Sequence, residues 1–130
     1  MPITSQLEKS KNLTVFTVTG ILDFNNIIPV VKDFYEADPT KHVLWDMTGT
    51  TVANFTSEEV RDIVHFKPRF EGRREPGNTA IVANKDLCYG LSKMFEIQSN
   101  LKELPYIVKV FRSRDDANDW LETVGLHPKY

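Results

Sequence analysis

Apolar residues along this chain alternate between two spacings, and each change of spacing marks an element. Ile3 to Glu8 and Leu13 to Thr19 read as strands, the second rich in β-branched residues. The polar turn Lys9 to Asn12 between them favours an antiparallel hairpin. Gly20 is expected to end the second strand. Asp23, Asn25 and Asn26 compete to cap a helix that carries Ile27, Val30, Val31 and Phe34 at helical spacing. Pro29 is acceptable if that helix starts near Asn26. Asp38-Pro39 then stops it.

The stretch His42 to Val60 organises the rest. Val43 to Met47 reads as a buried strand, followed by a turn rich in Thr, Gly and Asn. Thr56 and Glu59 have capping-box spacing, and Phe55 and Val60 stand where a hydrophobic staple would close. Val60, Ile63, Val64 and the stem of Lys67 form the inward stripe of the helix, which Pro68 ends. Lys67 to Asn78 reads as loop, and Thr79 to Ala83 as a short buried strand.

Asn84 or Asp86 can cap the third helix, whose stripe is Leu87, Leu91, Met94 and Phe95, with Ile97 extending it. Gly90 costs that helix roughly 1 kcal/mol against Ala, which close packing against a neighbour would justify. Tyr106 to Phe111 follows as a strand after Pro105. Ser113 caps the last helix, with Asp116 at N3, Ala117, Trp120, Leu121 and Val124 on its inner face, and Gly125 as C-cap. The order ββαβαβαβα implies a mostly parallel sheet with right-handed crossovers and an antiparallel N-terminal strand.

Length and composition narrow the classes. At 130 residues the chain suits one domain with a sizeable core. Hydrophobic residues are 41% and charged residues 26%, ordinary globular values. A net charge of −2 gives no global field for nucleic acid. The single Cys88 has no internal partner, so a reducing cytoplasmic setting is the expectation. No apolar run approaches a signal peptide or a membrane span.

Candidate chemistry is sparse. A strand leading into a capped helix is where α/β proteins place functional loops, and exposed amides there attract anions. Asp46 closes the central strand, where it can accept hydrogen bonds that fix the loop. Thr48, Thr50, Thr51, Thr56 and Ser57 crowd the same loop, but turn formation and capping already explain them. Lys67, Arg69, Arg73 and Arg74 are interleaved with Glu71 and Glu75, so they read as a solvated loop. His42, His65 and His127 lack metal-ligand spacing. Nothing near Cys88 would activate its thiol. No catalytic set, metal site or cofactor site is proposed by the chain.

Asp46, Thr48 and Gly49 resemble the first half of the STAS motif of SpoIIAA-type anti-sigma-factor antagonists. There the strand ends in Asp, a Ser/Thr-Gly turn follows, and Asp-Ser-Ser-Gly opens the helix. Those last positions fall here on Asn54, Phe55, Thr56 and Ser57, so the family's phosphorylated serine is matched by a residue with no hydroxyl. Three further segments resemble small bacterial SpoIIAA-like (STAS/SEC14-like) proteins: Ala80 to Ala83, Tyr89 to Phe95, and Val110 to Leu121. The resemblance implies a STAS fold, a right-handed βα superhelix with about four helices. It also implies a non-enzymatic regulatory or protein-interaction role without the phospho-switch. The expected contact loop is Asp46, Thr48, Gly49, Asn54, Phe55, Thr56, Ser57 and Glu58, facing an unidentified protein partner. The alternative is an apolar or lipid-like ligand held between the sheet and the helices Ile27–Phe34 and Leu87–Ile97. A homodimer through the N-terminal edge strand or an apolar helix face is open.

Overall fold

The computed structural model describes residues 3–52, 55–66, 77–101 and 106–126. Five strands form one sheet in the order β1-β2-β3-β4-β5, which is also their order along the chain. They are β1 (Ile3–Glu8), β2 (Leu13–Ile21), β3 (His42–Thr51), β4 (Gly77–Val82) and β5 (Tyr106–Phe111). The pair β1–β2 is antiparallel, and the other three pairs are parallel. Four α-helices alternate with the strands: α1 (Phe24–Glu36), α2 (Ser57–Phe66), α3 (Asp86–Leu101) and α4 (Arg114–Leu126).

Strands that advance in one direction with one crossover hand must carry their crossover helices on one face. The two cores follow this rule. Val43, Trp45 and Met47 of β3 pack with Ile27, Val31, Ile63 and Cys88 from α1, α2 and α3. Leu44 lies on the other face, with Ala80, Val82, Ala117 and Leu121. Among the described residues, α4, which follows the last strand, covers that second face. Trp45 stacks on Phe16 at 4.3 Å between ring centroids, which ties β3 to β2 under α1.

Local signals set the element starts. Asp23 and Asn26 form a reciprocal capping box, with Asn26 N–H donating to Asp23 Oδ1 at 3.0 Å. The helix therefore begins at Phe24, before the expected Asn26, and Pro29 sits in its second turn. Pro29 and Asn25 are both exposed, so water can serve the Asn25 carbonyl that loses its partner. Asn12 takes the left-handed conformation at φ 50°, which Asn tolerates, and closes the β1–β2 turn. Ser113 Oγ accepts the Asp116 amide at 3.2 Å and caps α4 as expected.

Several expectations are corrected. Gly20 does not end β2. It adopts φ +73° inside the strand, which continues to Ile21. The Thr-Gly segment after Asp46 is not a turn: β3 runs through it to Thr51, because Thr19, Gly20 and Ile21 pair with Gly49, Thr50 and Thr51. Gly77 and Asn78 belong to β4 and not to the loop. On α3 the inner face is Cys88, Leu91, Ser92, Phe95 and Ser99, while Leu87 and Ile97 are exposed. Gly90 has open space beside it, so close packing within the chain does not explain it. The third helix opens at Asp86, so Lys85, not Asn84 or Asp86, precedes it. The last helix passes through Gly125 to Leu126. Pro68 and the cations from Lys67 to Arg74 lie outside the described residues.

The β5 edge is covered from α3. Glu96 Oε1 accepts the Val110 amide at 2.7 Å, and Asn100 exchanges two hydrogen bonds with the Val108 backbone. These bonds occupy groups that would otherwise template another strand. At the opposite end of the sheet, β4 starts against Lys41. A Cβ added at Gly77 would press into the Lys41 backbone. Gly77→Ala is expected to lower stability by about 1–3 kcal/mol, as overpacking does. A fall in the urea midpoint at constant slope checks this; an unchanged midpoint would mean that the β4 start is loosely packed.

Candidate functional site

Asp46 is where β3 departs from regular pairing. Thr17 pairs with Asp46 and Thr19 with Gly49, so Val18 alone faces Met47 and Thr48. This is a β-bulge on β3. Asp46 Oδ1 stabilises it, accepting the Thr48 amide at 3.0 Å and the Thr48 hydroxyl at 2.7 Å. The bulge also reverses side-chain parity. Asp46 shares the face of Leu44 and meets α4, yet Thr50 turns to the other face, fully buried, and donates to Gly20 O at 2.8 Å.

The second carboxylate oxygen of Asp46 accepts from Arg114 Nη1 at 2.9 Å. This bond fastens the first residue of α4 to the end of β3. Burial works against the Asp46 charge, but the Thr48 hydrogen bonds and the Arg114 guanidinium outweigh it and hold its pKa below 3.8. Both oxygens are thus committed, and Asp46 supports the loop as its position suggested. Next to it, Arg112 lies 3.8 Å over the Tyr89 ring and donates to Asp86 and to Asn84 O. Lys85 Nζ donates to Thr50 O at 3.2 Å across the same rim. Sequence reasoning missed these three cations. Arg114 and Asp46 are 68 positions apart, so only the fold brings them together.

The remaining loop residues separate onto two sides. Thr56 and Glu59 form the expected capping box: Glu59 N–H donates to Thr56 Oγ1 at 3.1 Å, and Thr56 N–H donates to Glu59 Oε1 at 3.0 Å. Thr56, Ser57 and Glu58 are exposed at the start of α2, and Gly49 is exposed on the rim. Asn54 lies outside the described residues. Phe55 goes the other way. Its amide donates to Val52 O, and its partly buried ring packs into the three-helix core.

There Phe55 lines an apolar cavity of about 80 Å³. Ile27 and Val31 of α1, Trp45 and Met47 of β3, Val60 and Ile63 of α2, and Leu91 and Phe95 of α3 form its walls. Phe55 and Val60 share this lining, as a hydrophobic staple requires. The polar side chains on it are Ser92 and Cys88. The Cys88 thiol is 4.0 Å from Met47 Sδ, and burial pushes its pKa up, against the hydrogen bond from Ser92 and the charge of Lys85. It is a buried thiol packed against Met47. A wider cleft of about 570 Å³ lies at the far end of the sheet, between the Ser10–Leu13 turn and Asn118, Leu121 and Glu122 of α4. Its rim is open and charged, with Lys11 bridging to Glu122 at 3.8 Å. The smaller cavity differs in its walls, which are apolar core residues.

His42 is buried at the foot of β3, where its Nδ1 accepts the Asn78 amide at 3.2 Å. His65 is exposed on α2, and His127 lies outside the described residues. Among the described residues no three His, Cys, Asp or Glu side chains could share a metal ion, and no helix is long and apolar enough to cross a membrane.

Asp46→Asn keeps an acceptor for Thr48 but removes the charge that faces Arg114. Arg114 is 42% exposed, so solvent screens part of the pair. We expect a loss of roughly 1–2 kcal/mol at neutral pH. The sign of the pH effect follows from the lowered pKa. The ionised form contributes above the unfolded value of about 3.9, and that contribution is lost as pH falls through the lower folded value. The gap in urea midpoint between wild type and variant should therefore narrow below about pH 4. A gap that is constant into acid would contradict the assignment.

No family model and no curated protein matches this sequence. Among solved structures, the chain is similar to an uncharacterised protein of the DUF3478 family with a SpoIIAA-like fold, from Shewanella loihica PV-4. The two are 17% identical. The match covers 92% of this chain and 91% of that one, with a TM-score of 0.54. Likeness at this identity speaks to architecture, and it agrees with the sheet order and helix placement above: the chain has a SpoIIAA-like α/β fold.

Proposed function

We propose that this chain is a non-enzymatic binding module that admits a small, neutral, mostly apolar molecule to the cavity beneath Phe55. The cavity itself carries the reading. Protein cores close most voids larger than a water molecule. Here about 80 Å³ of apolar space stays partly open, so its wall is exposed to water that an apolar guest would displace. Among the described residues no charged side chain lines the space, so a charged guest would be stranded, while Ser92 and Cys88 offer one polar contact on the α3 wall. The non-enzymatic part rests on commitment: the Asp46 carboxylate is fully hydrogen-bonded, and the Cys88 thiol is buried and held protonated.

A second role, regulatory contact with a protein partner, is favoured by where Phe55 sits in the chain. Its ring reaches the cavity, and the next residue is the N-cap of α2, whose first turn is exposed. A guest that displaces the ring would move the surface formed by Thr56, Ser57 and Glu58. On this reading the rim acts without a phosphorylated serine, because the ring of Phe55 is the moving part.

Toluene should raise the melting temperature of the native protein, as any ligand of the folded state does. Ser92→Phe, which fills the cavity, should abolish the rise. Phe55→Ala, which enlarges it, should make the rise larger. Calorimetry with and without toluene reads all three. No rise in either native protein or Phe55→Ala would overturn the proposal.

A further inference from the structure

The outer face of α3 is as apolar as its inner face. Leu87, Gly90, Met94, Ile97 and Leu101 recur at alternating intervals of three and four, the spacing of a coiled-coil seam over two heptads. They lie opposite Cys88, Ser92, Phe95 and Ser99, the residues turned to the core. Leu87 is 59% exposed, Ile97 56% and Leu101 77%, and Gly90 has nothing within 4 Å of the side where a Cβ would stand. The edge of β5 cannot use this face, because it is already bonded to Glu96 and Asn100.

We propose that this seam is a self-association surface, with α3 of a second copy lying antiparallel across it. Three observations select that occupant. The seam is self-complementary about a two-fold axis placed between Met94 and Ile97. Gly90 then faces Leu101 of the other copy, and Met94 faces Ile97, so the smallest position receives the most exposed side chain. A parallel pair would set glycine against glycine and leave a hole. The charges permit it as well. Lys93, the cation beside the seam, is neutralised within its own helix by Glu96 at 3.0 Å, so two copies meet without facing like charges. The area also fits. In this register Ile97 and Leu101 of each copy, both more than half exposed, are covered together with Met94, while Leu87 lies beyond the paired stretch, so the contact is at the small end of interface sizes. Weak, transient contacts occupy that end of the range, so we expect a dimer that dissociates on dilution. This surface is separate from the cavity and holds whether or not the cavity takes a guest.

Sedimentation velocity of the full chain across a concentration series tests the proposal. A reversible monomer–dimer shift is expected below millimolar concentration. Ile97→Lys should weaken dimerisation at least 100-fold, taking each buried, unpaired charge to cost more than one such factor. Its circular dichroism should match the native protein, because the site is exposed in the monomer. Orientation is read by cross-linking under oxidation. The double variant Gly90→Cys/Leu101→Cys should form an intermolecular disulfide that Gly90→Cys alone does not. A chain monomeric up to millimolar concentration overturns the proposal. So does unchanged dimerisation in Ile97→Lys, or a disulfide formed readily by Gly90→Cys alone.

Discussion

The carboxylate of Asp46 constrains three parts of the molecule at once. One oxygen holds the bulge that ends regular pairing in β3, and the other holds the first residue of α4. The residues before the bulge serve both cores by ordinary alternation, and beyond it Thr50 is fully buried and donates to Gly20 O. The chain then leaves β3 on the side of α1, α2 and α3. That exit is why Phe55 reaches the core while Asp46, a few residues earlier, looks towards α4. A loop that reads as one cluster in sequence is divided by the sheet.

What could be read in the sequence was local. The Thr56–Glu59 and Ser113–Asp116 caps, the hairpin turn and the strand–helix order depend on residues within a few positions of one another, and they stand as expected. The misreadings have non-local causes. Thr48 to Thr51 has the composition of a turn, but the facing Thr19–Ile21 segment keeps it extended. In α3, two sets of apolar residues satisfy helical spacing, and periodicity cannot say which faces inward. The expected stripe, Leu87, Leu91, Met94 and Phe95 with Ile97, mixes the two: Leu91 and Phe95 do face inward, beside Cys88, Ser92 and Ser99, while Leu87 and Ile97 are exposed. The pairs Asp46–Arg114 and Arg112–Tyr89 were invisible because the sheet order alone brings those residues together.

The distribution of bulk in α3 links the cavity to the surface. Small residues on the inner face let the helix sit close to β5 and the sheet, but they do not fill the space that Leu or Ile would fill between α1 and α2. The cavity follows from that choice, as does the Ser99 hydroxyl, which is buried without a partner. On the outer face the large aliphatics are spent on solvent, where a monomer gains nothing from them. A sequence shaped only for the stability of one copy would place the bulk inside and the serines outside. The arrangement is coherent if both faces of the helix meet something: a guest on the inside and another surface on the outside. Gly90 fits the same logic, since its cost to the helix is unexplained by any neighbour among the described residues. The helix thus reads as the shared wall between two binding surfaces, fixed in place by Glu96 and Asn100 on the edge of β5.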